Sequence, residues 1–381
     1  MIATGEKNGP WNGVTFHDGN FYIAEGGELE GGKILKVSKA GEIKTLVDGL
    51  PSIGDHHTDG PVVIDHYVYF GQGTATNSGV VGEDNADFGW LKRHPEFHDI
   101  PCKDLILTGK NFESKNPLTE NDPNDNANTG AFVPFNTSTT EGQVIHGSLP
   151  CSGAIMRLPV QGGALELVAW GFRNPFGLAV HEGKLFVTEN GYDERGSRAI
   201  WGTGDVLWKI DEGKWYGWPD YSGGMMLNHE EFKVPGKNET ELLLMEHPNK
   251  PPKPAAILGV HSSSNGFDFS TSDQFGFKGK AFIAQFGDMA PNVGKVLAPV
   301  GYKVVIADPE TGSVYDFAVN RGKKNGPASW LNKGGLERPV AAKFHPTENA
   351  LYIVDFGVVT IEGKNLISKQ KTGMIWKITK Q

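Results

Sequence analysis

Two short stretches gather residue types that move protons and hold charge: His56-His57-Thr58-Asp59-Gly60 and Gly171-Phe172-Arg173-Asn174-Pro175. An imidazole changes charge near neutral pH, and a guanidinium is a fixed cation with a fork of donors. Two further sets of polar residues recur at equal places in a repeat. Asn12, Asp59, Asn174, Asn265 and Arg338 stand at the entrance to one strand of each copy; Glu25, Gln72, Glu189, Gln285 and Asp355 stand at the exit of the next. Polar groups repeated inside strands either bond to neighbouring turns or line a common pocket. For any single residue both readings stay open; as a set the two rings suggest a pocket.

The repeat that must position them is a glycine, an alternating apolar pair, a turn, a second apolar strand ending in an acid or amide, and a third strand. It reads GVTFHDGNFYIAEGG from Gly13, GPVVIDHYVYFGQG from Gly60, GLAVHEGKLFVTENG from Gly177, GFDFSTSDQFGFKGKAFIAQFGD from Gly266 and VAAKFHPTENALYIVDFG from Val340. Third strands follow from Lys33, Ala154, Asp205, Lys295 and Gly373. Period-2 alternation, turns such as His17-Asp18-Gly19-Asn20, and few 3.6-period stretches predict an all-β chain, a β-propeller of four-stranded antiparallel blades with five copies visible. Gly (51) and Pro (23) make up about a fifth of the 381 residues, as many turns require. The copies begin 47, 117, 89 and 74 residues apart, so a single domain over 1–381 carries a long insertion at about 84–149 and smaller ones at about 220–262 and 319–338. Such insertions commonly shape a binding face.

The formal charge is −9, and Lys and Arg are scattered, which argues against nucleic acid as a partner. No apolar run approaches the roughly 20 residues of a membrane span. Cys102 and Cys151 bracket a long polar segment; a disulfide closing it would contribute about 4 kcal/mol by loop entropy and implies an oxidising compartment, periplasmic or extracellular. No signal peptide begins at Met1, and no CxxCH haem motif is present.

The segments GLPSIGDHHTDG (Gly49 to Gly60), GFRNPFGLAV (Gly171 to Val180), TENGY (Thr188 to Tyr192) and KWYGWP (Lys214 to Pro219) stand in an order that resembles the soluble PQQ-dependent glucose and sorbosone dehydrogenase family. The resemblance implies a six-bladed propeller, PQQ and Ca²⁺ as cofactors, an aldose or related alcohol or aldehyde as small-molecule substrate, and an external electron acceptor such as a cytochrome. It implies His57 as the general base, Arg173 at the quinone carbonyl, and Asn174 beside it. It implies Arg338 on a cofactor carboxylate, the Gly191 and Tyr192 carbonyls on one Ca²⁺, and Asp205 with the Tyr216 carbonyl on a second.

The sequence also departs from the family. No Lys stands near Gly287, Leu336 occupies one of two paired Arg positions, the segment matching the first blade is missing, and the acid that orients the histidine is absent near Gly73, with Asp55 or Asp59 as substitutes. Two other readings follow. One is a metal-dependent propeller lactonase or hydrolase using Glu25, Asn12, Asn265 and Asp355. The other is a non-catalytic propeller that binds carbohydrate or protein.

Overall fold

A computed structural model describes all residues except 1, 6–8, 28–30, 88, 120, 121, 123, 289–295, 297, 323, 363, 364 and 381. The five repeats form five antiparallel sheets, the blades of an all-β propeller. The first pairs Trp11–His17, Asn20–Gly27, Gly31–Ser38 and Ile43–Leu50 in chain order. The second pairs Thr58–Ile64, Tyr67–Gln72, Ala154–Pro159 and Glu166–Trp170. The third is built from Pro175–His181, Lys184–Glu189, Gly204–Lys209 and Ala256–Val260; the fourth from Ser264–Phe269, Ala281–Gln285, Lys303–Ala307 and Val314–Ala318. The fifth has three strands, Pro339–Phe344, Ala350–Asp355 and Met374–Thr379. Among the described residues there is no sixth blade sheet. Lys295, the expected start of the fourth repeat's third strand, lies outside the described residues.

The repeated glycine has a steric cause. A Cβ on Gly13 would lie 1.3 Å from the Gly60 carbonyl oxygen, and one on Gly177 would lie 2.3 Å from the Asn265 carbonyl oxygen. First strands of consecutive blades therefore touch backbone to backbone at this position, which only glycine allows. Outside it, apolar side chains fill the space between sheets.

The chain divides into two compact units. One comprises Met1–Pro175, Tyr192–Trp201 and Asp211–Pro252, and includes the first two blades. Its core joins Val68, Phe70, Ala154, Met156 and Leu158 to Trp170 and Trp215. The other comprises Phe176–Gly191, Gly202–Ile210 and Lys253–Gln381. Its cores are built on Phe186, Leu207, Phe267, Phe269 and Ile283, and on Phe282, Val304, Ala342, Leu351 and Ile353.

The long insertion leaves the second blade after Gln72 and returns at Ala154. It carries helical turns at Asp84–Asp87 and Trp90–Arg93 and paired strands at Asn111–Lys115 and Asn126–Gly130, and it is closed by the Cys102–Cys151 disulfide. The insertion expected at 220–262 ends earlier, because Ala256–Val260 is the outer strand of the third blade. Its polar flanks hid that strand from a reading based on repeats.

Candidate active site

His56 is buried, and its Nδ1 lies 2.9 Å from the Thr74 carbonyl oxygen and 3.0 Å from Thr74 Oγ1. A carbonyl can only accept, so Nδ1 carries the proton and Nε2 keeps its lone pair. Burial, and then the positive charges of Arg173 and Arg195, hold the His56 pKa well below its ordinary value, so the ring is a neutral base at pH 7. The Thr74 hydrogen bond and the charge of Asp193 oppose this shift.

The segment that holds His56 is itself fixed from below. Asp55 and His56 donate their N–H groups to Ala75 and Thr74 (3.0 and 3.2 Å), and Thr74 N donates to the Arg173 carbonyl at 2.9 Å. Asp99, fully buried, accepts from Ala75 N at 2.6 Å and Thr76 Oγ1 at 2.5 Å. Burial pushes its pKa up to about 7. A carbonyl and a hydroxyl thus orient the imidazole, not an acid. Asp55 is bonded to Arg195, and Asp59 is buried with no hydrogen bond to either carboxylate oxygen among the described residues, so neither takes the orienting place. Burial drives the Asp59 pKa well above its ordinary value.

Arg173 is locked. Its Nε lies 3.1 Å from the Asn77 carbonyl oxygen, and its Nη2 donates to Asn77 Oδ1 at 2.9 Å and Asp193 Oδ2 at 2.8 Å. Asn77 also accepts from Asp193 N and donates to the Asp193 carbonyl, at 3.0 and 2.8 Å. One amide therefore sets both the cation and its counter-ion. Neither Asn77 nor Asp193 was singled out in the sequence, although Asp193 directly follows the TENGY motif.

His57 sits differently. Successive residues of an extended chain face opposite ways, and the His57 ring borders Gly27 of the first blade, with Cδ2 3.8 Å from where a Gly27 Cβ would lie. Its pKa is lowered by burial. The charge of Arg173 thus acts on His56, the neighbour in sequence of the expected His57. In the second blade Asp59 opposes Gly71 and Val62 opposes Tyr69, so one extra residue bulges in the first strand beyond both histidines. Asn174, buried next to Arg173 in sequence, has its Oδ1 3.3 Å from the position of a Cβ on Gly73.

The strand-exit ring proves to be blade cement. Glu25 accepts from Trp11 Nε1 (2.7 Å), Glu189 from Trp208 Nε1 (2.5 Å), and Asp355 from the N–H groups of Glu337, Arg338 and Gly357 (2.8, 2.9 and 3.1 Å). Gln72 accepts from Thr58 Oγ1 at 2.8 Å, and Gln285 donates to Ser264 Oγ at 3.2 Å.

The positions expected to hold the cofactor fit it poorly. Arg338, buried to 1% exposure, donates through Nη1 to the Phe286, Gly287 and Asp288 carbonyls at 3.2–3.3 Å, and its guanidinium stacks on Phe286 and Tyr302. A Cβ on Gly287 would lie 2.7 Å from the Tyr302 ring at φ 93°, so no lysine fits there. Both Asp205 oxygens are taken, by Gly191 N at 2.9 Å, Ser262 Oγ at 2.8 Å and Ser264 N at 2.7 Å. Tyr192 and Tyr216 are buried, Tyr216 stacking on Phe172 at 4.5 Å. Among the described residues no three His, Cys, Asp or Glu side chains converge on a metal position. With Arg338 spent on backbone carbonyls and Asp205 on backbone and serine donors, these side chains do not fit a tricarboxylate quinone clamped by Ca²⁺.

Residues 144–291 match the family model of glucose/sorbosone dehydrogenases, and the resemblance read from the motifs is borne out to that extent. A structure of the AA12 carbohydrate-active enzyme of Trichoderma reesei superposes with TM-score 0.50 at 14% identity, covering 90% of this chain and 77% of that one. A soluble aldose sugar dehydrogenase from Escherichia coli, in its apo form, gives TM-score 0.48 at 15% identity, covering 88% and 75%. At that identity the likeness shows the fold alone. Comparison of the sequence with curated proteins returns no match. No helix among the described residues is long and apolar enough to cross a membrane.

Proposed function

We propose that the protein is a sugar oxidoreductase in which His56 takes the proton of a substrate hydroxyl. The observation that carries this reading is the neutral His56, held at Nδ1 by Thr74 and flanked by a locked Arg173. The family match over residues 144–291 supports the substrate class, an aldose or related alcohol or aldehyde. As the Nε2 lone pair accepts the hydroxyl proton, electron density rises on the oxygen and the neighbouring C–H bond gives up its hydride more readily to a two-electron acceptor. Arg173 keeps the resting imidazole unprotonated, and its fixed positive charge favours negative charge that develops beside it.

PQQ with Ca²⁺ is the redox pair the family implies, one that accepts the hydride and passes electrons to an external carrier. The cage positions do not fit it, and no step here runs through it. The resemblance also suggests one propeller domain over 1–381, and the Cys102–Cys151 disulfide supports a periplasmic or extracellular site of action.

The test is dye reduction with a panel of aldoses, with and without added PQQ and Ca²⁺, in wild type, His56→Ala and His57→Ala. Loss of general-base catalysis lowers kcat by about 10²- to 10⁴-fold. That loss is expected in His56→Ala only. Equal loss in His57→Ala alone would return the base to His57, and no oxidation of any aldose under either condition would refute the sugar oxidoreductase reading.

A further inference from the structure

The residues around the base–cation pair converge on one guanidinium that the mechanism does not use. Arg195 donates through Nε to Asp193 Oδ2 at 3.3 Å, through Nη1 to Asp84 Oδ2 at 2.6 Å, and through Nη2 to Asp55 Oδ2. Each partner has a different attachment. Asp55 immediately precedes His56 in the segment hydrogen-bonded to 74–75. Asp193 is the carboxylate on which Arg173 Nη2 rests. Asp84 opens the first helical turn of the long insertion.

The Arg195 carbonyl is also held, by Asn77 Nδ2 at 3.3 Å, so the amide that fixes Arg173 fixes Arg195 as well. A Cβ on Gly196 would lie 2.8 Å from Asp84 Oδ1, so the chain after Arg195 is pressed against that carboxylate. The Asp55 and Asp84 side chains are 2% and 12% exposed. Three carboxylates crowd one cation there, and each would repel the others without it.

We propose that Arg195 is a positioning residue: its three-sided grip sets the base segment, the counter-ion of Arg173 and the start of the insertion in one fixed arrangement. The inference rests on the reading of His56 and Arg173 as the reacting pair. A fork of donors is needed for this, since a lysine ammonium has no planar set of N–H groups to hold three carboxylates in fixed directions. The same charge acts on His56, where Arg195 stands after burial and Arg173 among the causes that lower the pKa.

The experiment uses the full chain without cofactor or substrate and follows the His56 imidazole by NMR titration in wild type, Arg195→Gln and Arg195→Lys, with circular dichroism to establish the fold. Removal of the charge is expected to raise the His56 pKa in Arg195→Gln and to leave it near wild type in Arg195→Lys. In active enzyme, both variants should lose about 10- to 100-fold in kcat, because lysine restores charge and not geometry. Should Arg195→Gln not fold, Arg195→Lys and Asp84→Asn carry the kcat test. A folded Arg195→Gln with an unmoved His56 titration, or an Arg195→Lys with wild-type kcat, would overturn the proposal. The titration does not depend on His56 being a dehydrogenase base, so absence of sugar oxidation in wild type refutes the functional reading alone and the apo titration still decides the contact.

Discussion

Replacing Asp99 by asparagine should make the protein less sensitive to rising pH. In wild type this carboxyl is 1% exposed and its pKa is raised to about 7, first by burial and further by Asp55, against an ordinary value of 3.8. The folded protein therefore keeps a proton on Asp99 between those values, whereas the unfolded chain has released it. Stability falls with pH where the unfolded state binds fewer protons, at about 1.4 kcal/mol per pH unit. Over the window from pH 3.8 to about 7, the loss is about 4 kcal/mol. Asparagine is a close copy of the protonated acid: Oδ1 can accept from Ala75 N and the amide N–H can meet Thr76 Oγ1. Near pH 4 the variant should match wild type within about 1 kcal/mol, the net worth of one hydrogen bond.

Urea unfolding at pH 5 and pH 7.5, with the disulfide intact, measures the effect. Between these values wild type should lose about 3 kcal/mol relative to Asp99→Asn. Other groups titrate equally in both proteins and cancel in the difference. Parallel curves for the two proteins would mean that Asp99 ionises normally in the fold, and the account of how the 74–76 segment is held would fail with it.

Other consequences can be tested alongside. With His56 as the proposed base and its pKa depressed, the acid limb of the rate profile should fall below pH 6.5, leaving activity flat above it; a limb at or above 6.5 would contradict the environment described. Replacing Cys102 and Cys151 by alanine should cost about 4 kcal/mol in chemical denaturation, since the bridge closes a 49-residue separation. Installing the family lysine as Gly287→Lys should destabilise the fold by about 1–3 kcal/mol without creating PQQ binding in a fluorescence titration, because the Tyr302 ring occupies the space. Tight PQQ binding by that variant would show that Tyr302 moves aside.

The strand repeats were legible in the sequence because a pleated strand imposes a period of two, and because a glycine after the strand entrance is demanded where backbones approach as Gly13 and Gly60 do. The disulfide was legible too, since the chain holds two cysteines and both end one turn-rich segment. The motifs were sufficient to place Arg173 and a histidine in one class of enzyme.

That the charge of Arg173 acts on His56 was not legible, because adjacent residues of an extended segment face opposite ways and spacing counted along the chain does not say which faces where. The roles of Asn77, Asp193 and Arg195 were equally hidden, because residues more than a hundred positions apart meet only when the loop after Glu189 folds against the segment after Gln72. The acids of the strand-exit ring read alike in sequence as pocket or as cement. Tertiary structure alone decided between them, because it supplies the indole and backbone N–H partners that a buried carboxylate requires.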